Sequence, residues 1–302
     1  MGGIAGPELA AAVAEAGGLG MLGAAGAPPA AVEAAVEATA RRTTGAFGVN
    51  FLLPFLDRDA VAAAASRVPL VEFFYGDPDP ALVALGHEGG ARVAWQVGSL
   101  AEAGAAADAG CDLVVVQGVE AGGHVRGDLG LLPLLDLVLD AVNVPVVAAG
   151  GIGSARAVAA VLAAGAAAAR VGTRFVAAEE ADVHPAYVDA LIAADAEDTV
   201  LTTTFSVMWP DAPHRVLRAC VAAAEQLTED IAGESEMAPG VRLPVPRLAP
   251  PAPGRLTTGR VDAMAHYAGQ SVGSVLGRMK AGEIVRELAE GAEALLTGRR
   301  QT

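Results

Sequence analysis

The sequence predicts an α/β protein built on a (β/α)8 (TIM) barrel, with a smaller second domain. Short apolar segments alternate with helical segments up to residue 171, which is typical of a parallel sheet wound with helices. The segment Val-Pro-Val-Val-Ala at 144–148 is apolar throughout, as expected for a strand buried on both faces. A chain of 302 residues is also long enough to form one large barrel.

Seven barrel strands are predicted from short apolar and β-branched runs. They lie at 19–22, 47–53, 70–74, 93–97, 113–116, 144–148 and 167–171. Helices between them are predicted from apolar spacing and end signals, such as Pro7 in a first turn and Asp79 as an N-cap. They lie at 7–16, 29–42, 58–67, 79–88, 100–109, 131–142 and 154–164. Because a closed barrel has eight strands, we expect the first strand to be missing from this sequence and to precede Met1.

Beyond residue 171 the regular alternation ends. The elements predicted there are a helix at 179–194 broken near His184, a strand at 199–205, a helix at 212–226, and helical segments at 261–267 and 272–298. Six prolines between 238 and 254 predict an extended loop instead of a regular element. We therefore divide the chain into a barrel at 1–178, a small second domain or elaboration at 179–260, and C-terminal helices at 261–302 that pack back on the barrel.

Composition narrows the classes of function. The net charge of −15 argues against nucleic acid and against an anionic membrane surface as partners. Cys111 and Cys220 are the only cysteines, too few for a disulfide framework or a thiolate metal site. The sequence has neither a long uninterrupted apolar run nor a signal peptide with a charged start. We expect a cytoplasmic protein that binds a small molecule.

The octapeptide Gln-Gly-Val-Glu-Ala-Gly-Gly-His at 117–124 is the most informative stretch. It follows the strand at 113–116, and the carboxyl end of a parallel strand is where α/β enzymes place their chemistry. Its glycines allow the backbone to approach a flat ligand closely. We therefore take His124 as the candidate catalytic residue, although a glycine turn with an incidental surface histidine would read the same way.

Two consecutive glycine turns predict a phosphate site. Each follows a predicted strand and opens a helix, so that backbone N–H groups at the helix start can bind phosphate. The residues concerned are Gly150, Gly151 and Gly153 in the first turn and Gly172 and Thr173 in the second. Two ordinary strand-to-helix turns are the alternative reading. The spacing is not a dinucleotide fingerprint, because the later glycine is absent and no acidic ribose partner is evident.

Asn50 and Gln96 lie near the carboxyl ends of predicted strands and carry uncharged donor and acceptor groups. Such amides suit the edge of a flavin ring, although each taken singly is more often a turn residue. No histidine pair has the spacing of a metal site, and no Gly-x-Ser-x-Gly elbow of a hydrolase is present. We predict no metal, and we interpret Asp211 with His214 as a helix start.

Taken together, these stretches resemble the nitronate monooxygenase family, formerly called 2-nitropropane dioxygenases. The matching stretches are Met-Gly-Gly at 1–3, Gly-Val-Asn-Phe at 48–51, the loop at 117–124, the turn at 149–153, Gly-Thr-Arg-Phe at 172–175 and Tyr-Ala-Gly-Gln at 267–270. The resemblance covers nearly the whole chain. It implies a (β/α)8 barrel with a small second domain that binds FMN without a covalent bond.

The resemblance also implies roles for individual residues. His124 would act as a general base or position the substrate, and the two glycine turns would hold the FMN phosphate. Other residues implied at the cofactor site are Met1, Gly2, Asn50, Gln96, Gln117, Gly122, Gly123 and Gln270. Family members carry a strand before the Met-Gly-Gly loop, whereas Met-Gly-Gly begins this sequence, and a seven-stranded sheet would leave exposed edges beside the gap.

The expected reaction is FMN-dependent oxidation of alkyl nitronates, and also of neutral nitroalkanes, with O2. His124 would remove the α-proton of a nitroalkane or hydrogen-bond a nitronate, and an ordinary imidazole pKa of about 6.5 suits such a base. The same motifs occur in flavin-dependent enoyl-acyl-carrier-protein reductases and NADH:quinone reductases. NAD(P)H-dependent reduction of an enoyl thioester or a quinone is therefore the alternative, and a non-catalytic flavin-binding barrel is a third reading.

Overall fold

A computed structural model of the chain describes residues 1–238 and 240–298. Its strands are β1 Gly20–Gly23, β2 Phe47–Leu52, β3 Leu70–Phe74, β4 Arg92–Val97, β5 Leu113–Gln117, β6 Gly123–His124, β7 Val146–Ala149, β8 Ala168–Arg170, β9 Thr199–Thr202, β10 His214–Leu217, β11 Ile231–Ala238, β12 Val241–Pro246 and β13 Thr258–Gly259. Its α-helices are α1 Pro7–Glu15, α2 Pro29–Ala40, α3 Arg58–Ala65, α4 Pro80–Glu88, α5 Leu100–Asp108, α6 Leu131–Ala141, α7 Ala155–Ala163, α8 Thr173–Val176, α9 Pro185–Ile192, α10 Arg218–Gln226 and α11 Ala281–Leu296.

A curled parallel sheet of seven strands forms the core, in the order β1-β2-β3-β4-β5-β7-β8. All seven strands predicted from apolar runs are confirmed within about two residues at each end. The register aligns Asn50 with Glu72, and Gln117 with Ala149. Because every pair is parallel, the carboxyl ends of these strands lie along one edge, which is where the candidate site forms.

The helices begin where their capping residues allow. Asp57, Asp79, Ser99 and Ser154 each accept a hydrogen bond from a backbone N–H group in the first turn that follows. The predicted N-cap at Asp79 is confirmed. The C-terminal helix α11 packs against α1 and α7. None of the helices in the described part of the chain has the length and apolar character needed to span a membrane.

The two ends of the sheet do not meet. Within the described residues, β1 and β8 each pair with one neighbour only. A groove of about 640 Å³ lies between them, lined mainly by aliphatic side chains from both edge strands and from α1, α7 and α11. The fold is thus a mixed α/β fold whose curled sheet has an open side. The two unpaired edge strands expected for a sheet of seven strands are present.

A second body of antiparallel structure follows the parallel sheet. Strand β10 pairs with both β6 and β9, while β11 pairs with β12 and β13. This region has its own hydrophobic cluster, separate from the large core around the parallel sheet. The cluster includes the buried side chains of Phe205, Val216, Cys220 and Met264. Helix α9, in contrast, packs its buried face on the large core through Tyr187 and Leu191.

Several elements predicted beyond residue 171 were wrong. The predicted helix at 212–226 begins instead with β10, because His214–Leu217 pair on both sides and are fully enclosed. The predicted loop at 238–254 contains β12. Its prolines are tolerated because, within 1–238 and 240–298, β12 is an edge strand with β11 as its one partner. The helical segments predicted at 261–267 and 272–298 are reduced to short 3-10 turns and α11.

Candidate active site

The strand ends collect the sequence-predicted residues along one edge of the sheet. Met1 and Gly2 pack against the end of β1, where a side chain added at Gly23 would lie 3.1 Å from the Met1 carbonyl oxygen. The other residues lie on or just after β2, β4, β5, β7 and β8, and they are Asn50, Gln96, Gln117, Gly150, Gly151, Gly153, Gly172 and Thr173. Residues distant in sequence therefore share one site.

A buried ion pair lies between the two amides. Glu72 on β3 is 3% exposed, and its Oε1 accepts a hydrogen bond of 2.6 Å from Asn50 Nδ2 and pairs with Arg170 Nη1 on β8. The same Nη1 donates to Gln96 Oε1 at 3.0 Å. A buried carboxylate requires such partners, because desolvation of an unpaired charge is costly. The cluster ties β2, β3 and β4 to β8 across the curled sheet.

Each amide keeps one polar atom free for a ligand. Asn50 Oδ1 and Gln96 Nε2 have no hydrogen-bond partner among the described residues, and neither atom is fully buried. Asn50 Oδ1 is an acceptor and Gln96 Nε2 is a donor. The sequence predicts that these two amides meet the edge of a flavin ring, which has alternating carbonyl and N–H groups.

Gln117 is engaged differently. Its Nε2 donates to the His124 carbonyl oxygen at 2.9 Å, and its Oε1 accepts from the Arg126 backbone N–H at 3.3 Å. Both ends of the amide are therefore used to close the loop at 117–124. The loop ends in β6, which pairs with β10 and sets His124 opposite His214.

Aromatic rings surround His124. The imidazole stacks on Trp209 with centroids 3.8 Å apart and an interplanar angle of 20°. Tyr75, Tyr267 and His214 lie at centroid distances of 5.7, 5.6 and 5.2 Å. Among the described residues, His124 Nε2 is the one fully buried side-chain nitrogen or oxygen without a hydrogen-bond partner. Because buried polar atoms are almost always paired, this nitrogen is positioned for a ligand.

The environment keeps His124 neutral. Burial, with a smaller contribution from the neighbouring His214, lowers the pKa of His124 from 6.5 to about 3. Burial also lowers the pKa of His214, whose Nδ1 lies 2.8 Å from the Ala212 carbonyl oxygen and whose Nε2 accepts from the Phe205 N–H. One nitrogen of His214 must donate while the other accepts, which only a neutral imidazole can do. His124 is thus suited to exchange one hydrogen bond with a ligand and is a weak base.

Tyr75 was not identified from the sequence. It follows β3 directly, with a left-handed φ of 65° that is unusual for a bulky residue, and its ring meets His124 edge-on. Burial raises the pKa of its phenol to about 12, so the hydroxyl stays protonated. Strained backbone of this kind concentrates at functional sites.

The glycine turns pack against each other and against a returning strand-like segment. Gly150 has φ of 103°, and a side chain there would lie 2.9 Å from the Gly118 carbonyl oxygen. A side chain at Gly122 would lie 2.4 Å from the Gly269 nitrogen. The Gln270 N–H then donates to the Glu120 carbonyl oxygen at 2.9 Å. The segment 268–270, which the family resemblance placed beside the cofactor, therefore crosses the glycine loop.

The remaining predicted residues divide between packing and open space. Thr173 Oγ1 accepts a hydrogen bond from the Gly269 N–H at 3.0 Å, so its hydroxyl holds the returning segment. Gly153 lies against Ser271 and Ser274. At Gly172 and Gly123, no atom of the described residues, apart from their chain neighbours, lies within 4 Å of the position that a side chain would take, so the space beside them is open.

Arg174 of the Gly-Thr-Arg-Phe stretch has a structural role. Its buried guanidinium donates to Glu287 Oε2 at 2.8 Å and to the Ser274 carbonyl oxygen at 2.9 Å. It therefore clamps the segment after β8 to α11. Arg215, also missed in the sequence, holds the histidine loop by donating to the Val119 carbonyl oxygen at 2.9 Å.

Comparison with known proteins identifies the family of the chain. A family model described as nitronate monooxygenase matches residues 1–66 and 55–291, in two overlapping segments. A similar solved structure is FabK from Thermotoga maritima, with 30% identity, a TM-score of 0.79, and coverage of 99% of this chain and 93% of that one. Another, described as nitroalkane oxidase from Streptomyces ansochromogenes, has 30% identity and a TM-score of 0.78, and the match covers 98% of this chain and 95% of that one.

Curated relatives differ in their described activities. A 5-hydroxy-7a-methyl-1-oxo-octahydro-indene-4-carboxyl-CoA dehydrogenase from Rhodococcus jostii is 38% identical over 72% of this chain, and the match spans 60% of that relative's length. A probable nitronate monooxygenase from Staphylococcus aureus is 28% identical over 68% of this chain and 71% of its own. The chain belongs to the nitronate monooxygenase family.

Proposed function

We propose that the protein oxidises alkyl nitronates with O2 and uses FMN as its flavin. The observation that carries this proposal is His124, a neutral imidazole with an unpartnered buried Nε2 at the carboxyl end of the parallel sheet. A nitronate is already deprotonated at carbon, so it requires a hydrogen-bonding partner and no strong base. The Staphylococcus aureus relative, described as a probable nitronate monooxygenase, supports the same chemistry.

The residues that would hold FMN line the edge of the sheet. The free amide atoms of Asn50 and Gln96 would meet the flavin ring, and the turns at Gly150 and Gly172 would receive the phosphate at the starts of α7 and α8. Met1, Gly2, Gly122, Gly123 and Gln270 are proposed to border the same site. FMN supplies the electron acceptor that later reacts with O2; the protein supplies position and electrostatics.

His124 is proposed to act by hydrogen bonding. Its Nε2 would contact an oxygen of the nitronate, and the surrounding rings would exclude water and strengthen that contact. The low pKa makes His124 a poor base for a neutral nitroalkane, so we leave neutral nitroalkanes out of the proposal.

Oxidoreduction of an acyl thioester is the second candidate. It is favoured by the Rhodococcus relative, whose name describes a carboxyl-CoA dehydrogenase and whose identity to this chain is 38%. A thioester carbonyl oxygen could accept a hydrogen bond from the same Nε2. NADH or an acyl-CoA would then exchange electrons with the flavin, and a nitronate would not.

The fold and domain proposals belong with this function. The seven strands and their open side are consistent with a (β/α)8 barrel, and the separate hydrophobic cluster supports a small second domain that overlaps 179–260 and also takes in Met264. We keep residues 261–302 as a segment that returns to the barrel, with 299–302 outside the described residues.

Oxygen uptake tests the function. With propionate 3-nitronate and no nicotinamide, we expect turnover by the wild-type protein and a loss of roughly 10- to 100-fold in His124→Phe, which removes both ring nitrogens. His87→Phe, a change at an exposed histidine on α4, is the matched control and should retain activity. Unchanged oxygen uptake in His124→Phe would remove His124 from the reaction.

A further inference from the structure

An unusually long connection lies beside His124. Strand β9 ends at Thr202 and its antiparallel partner β10 begins at His214, so residues 203–213 connect the two strands. Paired antiparallel strands are ordinarily connected by about two to five residues. We call this connection the Trp209 loop. Because β10 also pairs with β6, the loop leaves the sheet immediately next to the histidine.

Trp209 turns inward from this loop. Its side chain is 7% exposed, whereas the preceding Met208 is 69% exposed. It stacks on His124 and meets the rings of Tyr75 and Phe55 edge-on, at 4.7 and 5.0 Å. It nevertheless belongs to none of the hydrophobic core clusters formed by the described residues. The indole therefore packs against the rings of His124, Tyr75 and Phe55 and lies outside these clusters.

The backbone around Trp209 is strained on both sides. Met208 and Asp211 have φ of 69° and 54°, although neither is glycine. The Trp209 N–H donates to the Ser206 carbonyl oxygen at 3.0 Å, and the Val207 N–H donates to the Leu248 carbonyl oxygen at 3.1 Å. Strain of this kind persists where contacts impose it, and it is common in segments that switch between conformations.

We propose that Trp209 is a specificity-determining residue, and that the space its indole fills is a subsite for a flat, apolar ring carried by the substrate. The face of His124 lies on one side of this space, stacked at 20° on the indole, and the rings of Tyr75 and Phe55 stand nearly perpendicular to the indole, at 76° and 87°, which favours a planar occupant. Substrate enters when the Trp209 loop withdraws. This inference rests on the proposed function in taking His124 as the residue that faces the substrate. It narrows the native substrate to a nitronate whose alkyl chain carries such a ring, with propionate 3-nitronate serving only as a simple probe of the reaction.

Chemical labelling tests the inference without turnover. The flavin-containing protein is treated with diethyl pyrocarbonate, and carbethoxylation of each histidine is followed by peptide mass spectrometry. In the wild type we expect slow labelling of His124 beneath the indole. In Trp209→Ala we expect labelling of His124 to be about tenfold faster, because no indole has to move away before the reagent reaches the imidazole. Met208→Ala, on the same loop but exposed, is the matched control and should label at the wild-type rate.

Free indole then probes the subsite. Added to Trp209→Ala, indole should occupy the vacated space and return His124 labelling toward the wild-type rate, whereas tert-butanol should not. Wild-type labelling in Trp209→Ala would overturn the covering role of Trp209. Faster labelling that indole does not reverse would overturn the ring subsite. Loss of the proposed nitronate activity alone would affect neither result.

Labelling of His214 reports whether the variant remains folded, since this residue is completely buried in the structure. If His214 becomes reactive in Trp209→Ala, Trp209→Phe decides the question, because it keeps a ring against Tyr75 and Phe55 while covering less of His124. An increase of about threefold at His124 is then expected, with His214 still protected. The wild-type rate in Trp209→Phe would contradict the inference.

Discussion

Lowering the pH should destabilise the protein through His124, by an amount that follows from its burial. Burial lowers the pKa of this imidazole from 6.5 to about 3 in the folded state, while the unfolded chain keeps the ordinary value. Between these values the unfolded state binds a proton that the folded state does not. The free energy of unfolding is therefore unaffected by His124 above about pH 6.5 and falls as the pH is lowered toward 3. At pH 5 the loss is about 2 kcal/mol, from roughly 1.5 pH units at 1.36 kcal/mol each.

Urea unfolding followed by circular dichroism at pH 7 and pH 5 measures this loss. His124→Asn is the comparison, because it removes the titrating ring and leaves other buried histidines in place, including His266, whose pKa burial lowers to about 4. The free energy of unfolding should fall more in the wild type than in His124→Asn, by about 2 kcal/mol. An equal fall in both proteins would refute the buried, neutral state of His124.

Two further predictions concern the framework of the site. Gly150→Ala places an added carbon 2.9 Å from the Gly118 carbonyl oxygen at a residue with a left-handed φ. It should lower the free energy of unfolding by about 1–3 kcal/mol and reduce the flavin content after purification. Gly172→Ala, whose added carbon meets no described atom within 4 Å, should leave thermal unfolding nearly unchanged, and equal losses in both variants would contradict the steric reasoning. Arg174→Met should cost about 2–3 kcal/mol, because the buried guanidinium no longer pairs with Glu287; an unfolding midpoint in urea equal to that of the wild type would show that this clamp is unimportant.

The parallel sheet could be predicted because its strands carry their own signal. Segments such as 144–148 are apolar throughout, and the turns after them contain the glycines and capping residues that end a strand and start a helix. The same local rules placed His124, Asn50 and Gln96 at the carboxyl edge of the sheet. Parallel order then brought Asn50 and Gln96 together around Glu72 and Arg170.

The second body was harder because pairing, not local preference, decides its elements. His214–Leu217 reads as the start of a helix, yet the strands on both sides hold it extended. Val241–Pro246 contains two prolines and still forms a strand, since an edge strand needs N–H donors on one side only. The strands that pair with these two segments cannot be identified from the sequence of the segments alone.

The electrostatics of the site depend on long-range contacts. Glu72 and Arg170 are separated by three intervening strands and meet only because the sheet curls. Trp209 comes from a distant loop and desolvates His124, which changes the expected base of pKa about 6.5 into a neutral hydrogen-bonding group. Trp209 lies between a predicted strand and a predicted helix, and from the sequence we singled out only the neighbouring Asp211 and His214, as a helix start.

Anaerobic reduction of the bound flavin is the most direct test of the central claim. Propionate 3-nitronate and NADH are mixed separately with the protein, and the loss of the oxidised flavin absorbance is followed in time. The proposed function predicts rapid bleaching by the nitronate and little by NADH. Rapid bleaching by NADH, with none by the nitronate, would contradict nitronate oxidation and favour a nicotinamide-dependent reductase.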